Sequence, residues 1–180
     1  MTERVLVAID GANFARQVDF FRDDFGGNIG FDFEVLKMLL ARLGSLQDII
    51  YYTARKDEDV GVEAFLNKLH RLGFVVRHFP LRHYSDGTDK GDIDHELIVD
   101  IYDREREYDI LVLVSADGDY TPLVKSLQRR GKRVIVISHT KAIARSLRES
   151  GAQILPVEKM VKLAPNLIME HLPAKLREAA

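Results

Sequence analysis

The stretch Asp109-Ile110-Leu111-Val112-Leu113-Val114-Ser115-Ala116-Asp117-Gly118-Asp119-Tyr120-Thr121-Pro122 decides the fold. Its apolar run does not alternate, which is the habit of a parallel strand covered on both faces. Proline is favoured at the first position of a helix, so the strand gives way to a helix through a short acidic turn. The chain opens with the same grammar, Val5-Leu6-Val7-Ala8-Ile9 leading into Asp10-Gly11-Ala12-Asn13. Further apolar runs of strand length lie at Ile49–Tyr52, Phe74–Val76, Val134–Ile137 and, weakly, Gln153–Leu155. Between them, helical spacing puts Phe33, Leu36, Leu39, Leu40 and Leu43 on one face, and Phe65, Leu66, Leu69 and Leu72 on another.

Helices are expected to stop at Arg42-Leu43-Gly44, Arg71-Leu72-Gly73, Arg129-Arg130-Gly131 and Glu149-Ser150-Gly151, each shortly before an apolar strand. Glycine takes the left-handed conformation just past a helix end, and basic groups in the last turn suit the dipole. Repeated helix-to-strand returns describe an α/β fold, a single doubly wound and mainly parallel sheet flanked by helices in three layers. Residues 1–156 are expected to form this domain, and residues 157–180 a C-terminal helical extension. Asp23–Gly30 and His78–Lys90 read as loops. The terminal helix, Asn166–Glu178, carries Leu167, Ile168, Leu172 and Leu176, which suit packing on the body or on a second subunit, so a homodimer stays open.

The 180 residues suffice for one domain with a real core. With no cysteine, the chain has no disulfide scaffold, thiolate nucleophile or sulfur-ligated zinc site. No signal-peptide pattern and no run of membrane-spanning length is evident, so a cytoplasmic protein away from membranes is expected. Net charge is −2, yet the charges are sorted. Lys125–Arg148 holds eight basic residues, Arg129 and Arg130 among them, and no acidic one, whereas Asp86–Asp119 holds twelve acidic residues and three basic ones. Such sorting draws an anion to one surface and a cation to another, although each group also reads as a solvated helix face.

Three places could carry chemistry. Asp10 follows the first strand directly and so sits at the carboxyl edge of the sheet, where such folds bind ligands; Asp10 or Asn13 could equally cap the next helix. After the fourth strand, Thr121 reads as the cap before Pro122, which leaves Asp117 and Asp119 without that duty. Two such carboxylates repel unless a proton or cation lies between them. In Lys90-Gly91-Asp92-Ile93-Asp94-His95-Glu96-Leu97-Ile98-Val99-Asp100-Ile101, Asp94 is in helical phase with Leu97, Ile98 and Ile101 and points inward, while Asp100 falls at the rim and Asp92 reads as a first-turn acid. The first and fourth strands of such a sheet are commonly neighbours, which would bring Asp10 beside Asp117 with Asp94 entering from the preceding helix. Oxygen ligands without sulfur favour Mg2+ or Mn2+.

Taken together, Ile9-Asp10-Gly11-Ala12-Asn13, Lys90-Gly91 with Asp94 and Asp100, and Ser115-x-Asp117-x-Asp119-Tyr120 with Pro122-Leu123 resemble the NYN domain family, LabA-like branch, of the PIN-like nucleases, over residues 3–156. The resemblance implies a PIN-like, metal-dependent ribonuclease with catalytic Asp10, Asp94 and Asp117. The same three and Asp119 would hold metal, with Asn13 and Ser115 in support. The expected reaction is hydrolysis of phosphodiesters in RNA, single-stranded by expectation. Lys90 could hold a phosphate, and Arg129 and Arg130 would bind the RNA backbone. Tyr84 and Tyr120 suit either base stacking or packing. The alternative is a non-catalytic RNA-binding or regulatory module that keeps the metal site. A Toprim domain would want glutamate after the first strand and a haloacid-dehalogenase phosphatase an Asp-x-Asp there, and Asp10-Gly11-Ala12 supplies neither. The six histidines show no spacing of a ligand set.

Overall fold

The computed structural model describes residues 2–25, 29–55, 60–80, 82–83, 89–90 and 93–170. Among the described residues, six parallel strands make one sheet: β1 (Arg4–Asp10), β3 (Ser45–Arg55), β4 (Val75–Pro80), β7 (Ile110–Val114), β8 (Arg133–Ser138) and β9 (Gln153–Pro156). Their order is β4-β3-β1-β7-β8-β9. The chain thus starts in the middle, builds outward to β4, then returns to lay β7 on the other side of β1. The first and fourth of these strands are neighbours, as expected, and strand order reverses between them.

Burial explains the unbroken apolar runs. On one face, Val5, Val7, Ile9, Val112 and Val114 pack with Phe14 and Phe21 of α1 (Gly11–Phe25), Leu36 and Leu40 of α2 (Phe33–Leu40), and Leu66 and Leu69 of α3 (Val60–Arg71). On the other, Leu6, Ala8, Leu111 and Leu113 meet Leu97 and Ile101 of α4 (Ile93–Asp103), Leu123 and Leu127 of α5 (Thr121–Arg129), and Leu147 of α6 (Arg145–Arg148). Strand alternation therefore aims Asp10, which follows Leu6 and Ala8 at steps of two, at the α4–α5 face. That is a consequence of register alone.

Several boundaries differ from the sequence reading. Gly73, Gly131 and Gly151 are left-handed with φ of 83°, 80° and 86°, but Gly44 serves another need. A Cβ there would stand 2.5 Å from the Glu3 carbonyl oxygen. The segment His78–Lys90 is not all loop, because β4 runs on to Pro80, where an edge strand tolerates proline, and β5 (Arg82–His83) pairs with β6 (Asp89–Lys90). Likewise α1 reaches Phe25, and β2 (Ile29–Phe31) pairs antiparallel with β10 (Ile168–Glu170). The expected helix from Asn166 is instead a 3-10 turn at Pro165–Leu167 followed by β10, after the short α7 (Val157–Leu163). Its apolar residues do not need a helix to be buried: Leu167 is fully buried, and its carbonyl accepts from the Asp32 N–H at 2.8 Å. Val157 and Met160 also join the core. Residues 171–180 lie outside the described set. Among the described residues, no helix is long and apolar enough to cross a membrane.

Candidate active site at the carboxyl edge of the sheet

Asp10 is 4% exposed and performs two tasks. Its Oδ1 accepts from the Asn13 N–H at 3.0 Å, so it caps α1. Its Oδ2 accepts from the Ser115 hydroxyl at 3.2 Å and, weakly at 3.4 Å, from the Tyr120 hydroxyl. The Tyr120 hydroxyl also donates to Asp94 Oδ1 at 2.6 Å. Two carboxylates 84 positions apart in sequence (10 and 94) thus reach one buried hydroxyl. Burial, and then the charge of Asp94, raise the Asp10 carboxyl above its ordinary range, against the lowering hydrogen bonds from Asn13 and Ser115. Burial, followed by Asp10, Asp94 and Asp117, drives the Tyr120 phenol far upward, so its proton stays on Oη as a donor.

Asp117 stands beside this pair, half-buried, with its backbone N–H donating to the Ser115 Oγ at 3.1 Å. Here the structure corrects the capping assignment. Asp117 Oδ1 accepts from the Asp119 N–H at 3.1 Å and caps the 3-10 turn Gly118–Tyr120, whereas Thr121 is already helical and its hydroxyl donates to Ser146 Oγ at 3.1 Å. The 3-10 turn inserted ahead of Pro122 moves the cap upstream. Asp119 is exposed and joins the site through its backbone N–H.

Asn13 is buried and does not face solvent. Its Oδ1 accepts from the Ala116 N–H at 2.8 Å and from Gln17 Nε2 at 3.0 Å, and Gln17 Oε1 in turn accepts from the His139 N–H at 2.6 Å. This ladder ties the carboxyl ends of β1, β7 and β8 together. Sequence reasoning missed Gln17, although its place four residues after Asn13 on one helix face was a signal. It also passed over the decisive duty of Tyr120. Asp100 stays apart, accepting from the Tyr52 hydroxyl at 2.6 Å and lying 3.8 Å from Arg77.

Arg129 and Arg130 are not brought to the carboxylates. They end α5, which runs from the site back to the amino edge of the sheet, about 13 Å for nine residues. Arg130 pairs with Glu105 at 2.9 Å and lies over the Tyr102 ring. Lys132 and Arg133 are similarly engaged, by the Glu105 and Tyr108 carbonyls and by Glu3. Lys141, Arg145 and Arg148 follow β8 and stay at the carboxyl edge. The Lys90 side chain, Asp92 and Tyr84 lie outside the described residues.

The donors suit a hard cation: they are all oxygens, and the Asp10 carboxyl is pushed upward by burial and by the charge of a second carboxylate, Asp94. Among the described residues, no three acidic or histidine side chains close on one point. Magnesium asks for less, taking one or two carboxylates and completing its shell with water and phosphate oxygens. Asp10 and Asp94 meet that requirement.

A family model for the NYN domain matches residues 4–158. The chain belongs to the NYN domain family. Among curated relatives, it is similar to the low amplitude and bright protein LabA of Synechococcus elongatus, 29% identical over 111 residues, 58% of this chain and 59% of that protein. It also resembles an uncharacterised protein of Methanocaldococcus jannaschii, 22% identical over 162 residues, 89% of this chain and 58% of the relative. The NYN chain thus spans under three-fifths of the length of these relatives. A crystal structure of a Vibrio parahaemolyticus protein of unknown function superposes with a TM-score of 0.74 at 24% identity, covering 87% of this chain and 93% of the other. The two chains share the three-layer α/β fold with its parallel sheet.

Proposed function

We propose that this NYN domain is a nuclease that hydrolyses RNA phosphodiester bonds, single strands foremost, with Mg2+ or Mn2+ held by Asp10 and Asp94 and assisted by Asp117. The observation that carries the proposal is the shared Tyr120 hydroxyl, because it shows two remote carboxylates aimed at one point where strand order reverses. A bound divalent cation supplies a water of lowered pKa and neutralises charge on the scissile phosphate. Ser115 orients Asp10 and the Asp117 loop together. Asn13 and Gln17 hold that loop against α1 and so act through position rather than by touching substrate. Tyr120 keeps its proton and holds the carboxylates in place by donation. Asp119, exposed at the mouth, would meet the cation through water. Lys141 and Arg145, at the carboxyl edge, are better placed than Arg129 and Arg130 to meet the sugar–phosphate backbone, and their contribution should fall with salt.

The test is cleavage of labelled single-stranded RNA, and of DNA of the same sequence, with and without Mg2+ or Mn2+. Asp10→Asn, Asp94→Asn and Asp117→Asn should fold and lose cleavage. Undiminished cleavage in either of the first two removes the assignment. The alternative, an RNA-binding module without turnover, would use the same carboxylates and the same metal. Metal-dependent RNA binding with no product, even at high protein concentration, would establish it.

A further inference from the structure

We infer that the groove beside Gly11 receives one unpaired base of the substrate strand, an inference that rests on the nuclease reading above. The groove has a volume of about 670 Å3 and lies on the other side of the β1 terminus from Asp94, between α1, β3 and α3. Its wall is a chain of rings. Phe14 and Phe33 have centroids 5.9 Å apart, Phe33 lies 5.3 Å from Phe65 and 6.0 Å from Tyr51, and Tyr51 lies 5.5 Å from Phe65, all edge to face. Phe14, Phe33 and Tyr51 are buried, whereas Phe65 is only half-buried, so Phe65 is the ring with surface to offer.

Charge selects the occupant. Arg16, Arg22 and Lys68 rim the groove against Asp19, and Asp19 is taken by Arg22 at 2.7 Å. An apolar slot with an excess of cations at its mouth suits a flat, weakly polar ring joined to an anion, which is the chemistry of a nucleotide. It suits a plain hydrophobic segment less well, because such a segment leaves the cations unanswered. Apart from the charged rim, only Tyr51 and Thr53 of the described lining carry a side-chain hydroxyl, so recognition is mainly by stacking and discriminates little between bases. A base held in a duplex has both faces occupied and cannot enter.

The groove is also continuous with the carboxylates. Gly11 and Ala12 line it and directly follow Asp10. The Tyr51 ring occupies the space a side chain at Gly11 would need, since a Cβ there would lie 2.6 Å from it. After burial, the charge of Asp10 is what raises the Tyr51 phenol, which places that carboxylate and the groove wall within electrostatic reach. A strand whose phosphate lies at Asp10 and Asp94 therefore crosses the sheet edge at Gly11 and presents a neighbouring base to the groove.

The experiment uses the full chain carrying Asp10→Asn and single-stranded oligoribonucleotides with one 2-aminopurine at successive positions. Strong fluorescence quenching is expected at one position and none in the duplex. Ala15 is exposed and lines the groove. Ala15→Trp should fill it, abolish the quenching and weaken binding on the order of 10-fold, the scale of one lost base–aromatic stack. Circular dichroism should show the same fold and melting as the parent. Phe65→Leu, which keeps apolar bulk without a stacking face, should lose most of the quenching. If the strand binds but is quenched nowhere, or Ala15→Trp binds and quenches like its parent, the inference falls while metal-dependent cleavage by the wild type leaves the nuclease reading standing. A concentration-dependent dimer that Ala15→Trp dissociates assigns the groove to a second copy and also overturns it. If the wild type neither binds nor cuts any single strand with metal present, both readings fall.

Discussion

Replacing Tyr120 by phenylalanine isolates the contact on which the site depends. The ring is fully buried and its packing against α4 and α5 survives the change, so the loss is that of the hydroxyl. A 2.6 Å bond to the Asp94 carboxylate disappears, together with a marginal one of 3.4 Å to Asp10. A hydrogen bond to a charged group contributes about 1.5–3 kcal/mol, and the longer contact adds little. A net loss of about 2 kcal/mol in a domain of this size lowers Tm by roughly 4–8 °C. The assay is thermal unfolding in metal-free buffer, repeated with millimolar Mg2+. Without the hydroxyl, the buried Asp10 carboxylate faces the half-buried Asp94 with no donor shared between them. The deficit should therefore shrink as the pH falls, because the Asp10 carboxyl, raised by burial, takes up a proton that can stand in for the hydroxyl. If Mg2+ binds these carboxylates as proposed, it would compete with the hydroxyl in the wild type and not in Tyr120→Phe, so it should stabilise the variant more. If Tyr120→Phe melts within about 1 °C of the wild type in metal-free buffer at pH 7.5 and responds to Mg2+ identically, the shared hydroxyl is not what holds the pair.

Other outcomes follow from the same geometry. Because the Asp10 carboxyl is raised in the fold, its charged form costs stability that is absent below the unfolded pKa and complete above the folded one. Asp10→Asn should accordingly melt higher than the wild type near pH 7 without metal, with the gap closing as the pH falls; a variant that melts lower at pH 7 would contradict this. Leu167→Ala should destabilise by about 2–5 kcal/mol by denaturant unfolding, since Leu167 is fully buried between α2 and α7. A loss under roughly 1 kcal/mol would mean that the segment after α7 is a dispensable extension rather than part of the body.

Much of the fold was legible because the two kinds of element have different periods and visible stops. The continuous runs at Val5–Ile9 and Ile110–Val114 and the glycines at 73, 131 and 151 marked a doubly wound sheet. Helical phase put Asp94 on the inward side of α4, where it accepts from the Tyr120 hydroxyl, since phase is a local property. The β2–β10 pair was not legible. It joins segments more than 130 residues apart, and each three-residue strand is too short to carry a period.

By itself, then, the sequence determined the alternation of strand and helix, the family, and three acidic places at strand or helix ends. Local spacing and backbone sterics act over a few residues, and that is enough for such conclusions. Only the tertiary structure decided which acids meet. It joined Asp10 and Asp94 through Tyr120, set Asp117 beside them as a cap, left Asp119 in solvent, and carried Arg129 and Arg130 to the opposite edge. Those outcomes depend on the order of strands in the sheet and on the direction in which α5 runs. The contacts of Tyr120 with Asp94 and Asp10 join residues 26 and 110 positions apart, where chain connectivity no longer dictates proximity and the shared burial of two apolar faces does.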